Sequence, residues 1–145
     1  QTTIMKTETI EEPSQPVIKD LSPKLIKEIK EKCLNINLPN TNVELLQQEC
    51  KDKLFRDEAF RKRDSSLCDL ILTDIKSDCY NNVIRAKALD ASDTSMCSQI
   101  SDEAIKTMCQ DDILKQTAIQ NKDASMCNQI SNENIKNDCQ RLATA

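Results

Sequence analysis

Eight cysteines carry most of the reactive potential of this chain: Cys33, Cys50, Cys68, Cys79, Cys97, Cys109, Cys127 and Cys139. Thiols can hold a metal, act as nucleophiles or redox centres, or pair as disulfides. Metal binding is disfavoured, because there is no His, no C-x-x-C, and no local gathering of cysteines that would converge on one ion. Thiol catalysis lacks an imidazole to take the proton, and cysteines in repeated, apolar-flanked positions are structural far more often than reactive. Pairing remains.

Other chemistry fares no better. The neighbours Asp111 and Asp112 are an acid pair of the kind that hydrolyses glycosides. They stand among many charges on a repeated helical segment, and a solvated face accounts for them. Gly is absent from the whole chain, which removes the phosphate-cradling loop, the dinucleotide fingerprint and the nucleophile elbow. The sequence therefore predicts no catalytic, cofactor-binding or metal-ligating residue, and a protein that is not an enzyme. Net charge is −4 with the two signs interleaved, so there is no basic patch for nucleic acid. No apolar run approaches membrane-spanning length.

The elements that position the cysteines follow from an internal repeat with a period near 30 residues. Asp64-Ser-Ser-Leu-Cys68, Asp93-Thr-Ser-Met-Cys97 and Asp123-Ala-Ser-Met-Cys127 are three copies of one text. Each leads to a second text, Ile75-Lys-Ser-Asp-Cys79, Ile105-Lys-Thr-Met-Cys109 and Ile135-Lys-Asn-Asp-Cys139. Counting from the second cysteine of a unit, position +9 is Ala59, Ala88 and Ala118, and position +18 is always Cys. Asp64, Asp93 and Asp123 suit N-caps of a short first helix, and Ser101 and Ser131 suit N-caps of a longer second one. Ser22-Pro23 starts an earlier helix, and Thr41 to Glu44 has the form of a capping box. On the longer helix of the third unit, Ile105, Cys109, Ile113 and Ile119 share one face, while Leu114 and Ala118 lie opposite. A helix apolar on two sides suits a stack, with one side meeting its own hairpin and the other the next unit.

Two pairing schemes respect the repeat. Either each hairpin is closed internally, or neighbouring units are joined, as in Cys79–Cys97. Helix rise decides between them. Cys127 lies four residues before the turn at Ser131 and Cys139 eight after, a height difference of about 6 Å at about 1.5 Å per residue. Joining Cys109 to Cys127 would leave a mismatch of about 15 Å, beyond the roughly 7 Å that a bridge tolerates between Cα atoms. The expected pairs are 33–50, 68–79, 97–109 and 127–139, and they imply an oxidising compartment, extracellular or cell surface.

With these motifs, D-x-S-[LM]-C and I-K-x-x-C, residues 41–145 resemble short cysteine-paired helical repeats of secreted and surface proteins of bacteria and archaea. The resemblance implies export and no activity. The twin C-x9-C hairpins of the mitochondrial intermembrane space look similar, but their spacing does not match. No N-x-[ST] sequon occurs, in keeping with a prokaryotic source.

The predicted fold is all-α: disulfide-stapled helical hairpins stacked as a short α-solenoid, with units of about 21–62, 63–91, 92–121 and 122–145. Residues 1–20, rich in Thr, Glu and Pro, read from composition as a disordered linker or stalk, or as an extended tail or arm that docks on a neighbouring molecule. A start at Gln1 fits a mature N-terminus exposed by cleavage. The leading expectation for function is a self-assembling structural protein, a subunit of a surface filament, stalk or layer. Its arm would dock through Ile4, Ile10, Val17 and Ile18 onto a last unit that stops soon after Cys139 and leaves Ile130, Ile135 and Leu142 with less cover than their counterparts. The alternatives are a monomeric module that binds an unknown protein, and a secreted effector or inhibitor.

Overall fold

The computed structural model describes residues 21–145, so the arm and its Ile4, Ile10, Val17 and Ile18 lie outside the described residues. Among the described residues the chain is mostly helical and has no strand. Ser22 caps α1 (Pro23–Glu28), its hydroxyl accepting from Leu25 N–H at 3.2 Å, with Pro23 in the first turn where its missing N–H costs nothing. The helix then widens into a π-helical turn, Ile29–Cys33, and ends in a loop. α2 spans Val43–Lys62. Its cap is Asn42, not Thr41: the Asn42 carboxamide oxygen accepts from Leu45 N–H at 3.1 Å, so the expected capping box gives way to the neighbouring residue.

From here the repeat is literal. Short 3-10 helices at Ser65–Leu70, Thr94–Gln99 and Ala124–Gln129 alternate with α3 (Lys76–Ala91), α4 (Glu103–Asn121) and α5 (Glu133–Ala143). Asp64, Asp93 and Asp123 cap the 3-10 helices, each accepting from the N–H two residues on, at Ser66, Ser95 and Ser125. The same serine hydroxyls donate to these carboxylates, which explains why Ser recurs at that position. These bonds hold the carboxyls of Asp64 and Asp93 below the usual carboxylate range, the serine hydroxyl contributing most.

Each Asp also closes the helix before it. The N–H of Asp64, Asp93 and Asp123 bonds back to the carbonyl of Ala59, Ala88 and Ala118 at 2.9–3.0 Å. The intervening residue is left-handed, with φ of 53°, 52° and 53° at Arg63, Ser92 and Lys122. This is the usual helix-ending arrangement, but in a chain without glycine the left-handed position falls to Arg, Ser and Lys. The three alanines are fully buried, so a larger side chain would separate the helix from the next hairpin.

α4 and α5 are capped by Asp102 and Asn132, correcting the expected Ser101 and Ser131. Those serines are committed elsewhere, as described below. The disulfides are Cys33–Cys50, Cys68–Cys79, Cys97–Cys109 and Cys127–Cys139, with Cα separations of 5.4–5.8 Å. Three core clusters form around the last three bridges. Ile84 and Ala88 of α3 pack with Cys97, Ile100 and Cys109, and Leu114 and Ala118 of α4 pack with Cys127, Ile130 and Cys139. Each hairpin thus shares its core with the helix that precedes it. Full burial of such aliphatic side chains stabilises by roughly 1.5–3 kcal/mol each.

Candidate interaction surface

Position +2 after the second cysteine carries the polar heart of the array. It is Asp52, Asn81 and Asp111, and all three are buried. A buried carboxylate must be satisfied by donors, and here the donors come from the following unit. Asp52 accepts from Leu72 and Thr73 N–H at 2.9–3.3 Å. Asn81 Oδ1 accepts from Ser101 N–H at 3.2 Å. Asp111 accepts from Ser131 N–H, Ser131 Oγ and Asn132 N–H at 2.9–3.1 Å. Ser101 and Ser131 therefore tie their own unit to the one before it, which is why they do not cap their helices. Asp111 is a buried structural acceptor and not part of a solvated face, contrary to expectation. Its neighbour Asp112 pairs with Arg85 at 3.2 Å, and that guanidinium lies 5.6 Å from the Phe60 ring centroid, joining three units.

In the last unit position +2 is Arg141. It is exposed and pairs weakly with Asp138 at 3.5 Å. A guanidinium donates and cannot accept, so this position does not offer the bond that the other three make.

The first unit carries a different feature. A groove of about 380 Å³ runs between it and the start of the second unit. Ile26 of α1, Ile29 of the π-helical turn, Lys51 and Phe55 of α2, and Leu70 and Leu72 line it. The π-helical turn belongs to the site, as such turns often do. Leu72 is 72% exposed and Leu34, also on the groove, 48%. Leu72 is held there from below: Gln48 donates to Asp52 at 2.7 Å, and Asp52 in turn accepts from the Leu72 and Thr73 N–H groups. Lys30 and Lys51 supply positive charge, and neither makes an ion pair among the described residues. Asp69, the acid on the groove, accepts the Tyr80 hydroxyl.

No family model, curated protein or solved structure matches this chain. The surface must therefore be judged on its geometry. Among the described residues no group of His, Cys, Asp or Glu could hold a metal ion, and no helix is long and apolar enough to cross a membrane.

The sequence-predicted assembly residues fare unevenly. Ile130 is 3% exposed, as covered as Ile71 and Ile100 at 1%, so it has no open face to offer. Ile135 is half-buried against the same cluster. Leu142 is 37% exposed and does present apolar surface. The groove itself was missed, although it left a mark in the sequence. Leu72 stands where the later units have Ser101 and Ser131, so an exposed Leu replaces a serine in register.

Proposed function

We propose that this is an exported protein, a short disulfide-stapled α-solenoid, that works by binding protein at the groove between its first two units. The observation behind this reading is the concentration of exposed apolar side chains there. Leu34 and Leu72, 48% and 72% exposed, both line the groove together with Ile26, Ile29 and Leu70, while the exposed Leu38 and Leu45 lie in the first unit outside it. Isolated exposed leucines need no explanation, but a contiguous apolar concavity with a few charges at its edge is the usual form of a recognition site. Four disulfides in a short chain support an extracellular or cell-surface setting. As a test, a random peptide library would be panned on the oxidised protein. Enriched peptides should carry apolar anchors and lose binding to Leu72→Glu, while Met108→Glu, at an exposed methionine of α4 outside the groove lining, leaves it unchanged. Peptides insensitive to Leu72→Glu would remove the groove from the function.

A second reading, self-assembly into a surface filament, stalk or layer, has one observation in its favour. Apolar side chains are open both in the first unit, at Leu38 and Leu45, and in the last, at Leu142. Against simple continuation of the stack stands Arg141, in the position where a further unit would need an acceptor. Light scattering of the full chain at high concentration discriminates: large particles support assembly, and a monomeric mass supports the binding module.

A further inference from the structure

We propose that the groove is filled by the chain's own residues 1–20, folded back onto the unit they lead into. The inference rests on the groove being a binding site and names its resident occupant. Leu21, the first residue after the segment, is itself part of the groove wall. The segment therefore starts at the site and needs no long tether to reach it. Ile18 and Val17 stand three and four residues away along the chain. Ile10 is eleven residues away, a reach of up to about 36 Å.

The chemistry is complementary. The segment carries isolated aliphatic anchors, and around Ile10 it places Glu8, Glu11 and Glu12. The groove offers an aliphatic lining with two cations, Lys30 and Lys51, against one acid, Asp69, whose carboxylate accepts the Tyr80 hydroxyl, so its charged residues sum to a net positive charge. Its volume of about 380 Å³ is more than twice the roughly 150 Å³ of an engineered cavity that takes benzene. That is room for two or three aliphatic side chains. Tethering favours the chain's own segment over a second copy, because a short covalent link raises the local concentration to about millimolar. A foreign segment would then have to displace the resident one, which makes residues 1–20 a competitor built into the molecule.

The test uses the full chain and the dye 1-anilinonaphthalene-8-sulfonate, an anionic apolar probe. The wild type should give little fluorescence. Ile10→Ser, Val17→Ser and Ile18→Ser together should raise it several-fold at unchanged helical signal and unchanged mass. Adding Leu72→Glu should return it to the wild-type level. No rise in the triple variant overturns the proposal. If the wild type already binds dye at a site that Leu72→Glu abolishes, the groove stands open to other proteins and only the occupant is wrong. If the dye signal ignores Leu72→Glu, the groove itself is not a binding site. If the triple variant brightens while its mass falls to a fraction of the wild type, the segment was supplied by a second copy, and docking within the chain is overturned.

Discussion

In the third and fourth units, Cys97–Cys109 and Cys127–Cys139 each close a hairpin with a sequence separation of 12, whereas Cys33–Cys50 spans 17. The extra length sits in the loop between the helices, and the two kinds of loop are held by opposite means. In the later units a buried acceptor on the preceding helix takes backbone N–H groups from the loop, as Asp111 does from Ser131 and Asn132. In the first unit the loop is held from its own helix by a donor, Gln47 Nε2, reaching the carbonyls of Leu34 and Ile36 at 3.4 and 3.1 Å. A loop clamped by a neighbour buries the residue just before the clamp, Ile71, Ile100 or Ile130, while the clamped residue itself stays outward, as Leu72 does. A loop clamped from within stays at the surface and leaves Leu34 and Leu38 exposed. The difference teaches that the unit before sets which residue of each later loop is buried, and that the first unit, whose loop lacks such a clamp, keeps Leu34 and Leu38 at the surface.

The largest test of this contrast is to remove staples. Replacing Cys97 and Cys109 by Ser should cost roughly 2–5 kcal/mol of stability. The longer loop closed by Cys33–Cys50 predicts a cost greater by only about 0.3 kcal/mol on loop entropy. Denaturant melts of the two double variants measure both. A Cys33–Cys50 variant much less destabilised than the Cys97–Cys109 one would show that the first unit contributes little packing, which sharpens the contrast. Equal losses would blunt it.

Next come the buried acceptors. Asp52→Ala or Asp111→Ala leaves backbone donors unpaired and should cost roughly 1–3 kcal/mol. Asp111→Asn should cost less, since Asn81 already performs this role at the same position. If urea titration found Asp111→Ala neutral, burial would not depend on the preceding unit. The smallest effect concerns the left-handed residues. Lys122→Gly removes a Cβ strained at φ 53° and should raise stability by about 0.5–1 kcal/mol after the entropic cost of glycine. Asn40→Gly in the first unit, at φ 62°, should gain less because Asn tolerates this conformation. A thermal melt in which Lys122→Gly falls below the wild type would contradict the strain account.

Much of the scaffold could be read from residues alone, because it repeats. Three copies of D-x-S-[LM]-C located the short helices, and helix rise selected the pairing within hairpins. The caps slipped by one residue wherever Asn or Asp stood beside Thr or Ser, at Asn42, Asp102 and Asn132, since two adjacent capping residues compete and only geometry chooses. Burial of Asp111 was hidden because a carboxylate on a helix looks solvated until its donors, twenty residues later, fold against it. The groove was hidden for the same reason: Ile26, Phe55 and Leu72 come together only through tertiary packing.

The regular spacing of the staples has a mechanical consequence. From Cys50 to Cys68, from Cys79 to Cys97 and from Cys109 to Cys127 the interval is 18 residues each time. A molecule pulled by its ends cannot pay out the chain locked between paired cysteines, where the Cα atoms stay within 5.8 Å. Between Cys33 and Cys139 only the three intervals lengthen, each by tension to no more than about 65 Å. The array would thus yield in equal steps and then stop, like a strap with evenly placed stitches. A reducing agent would cut the stitches, and the same load would draw the chain out much further.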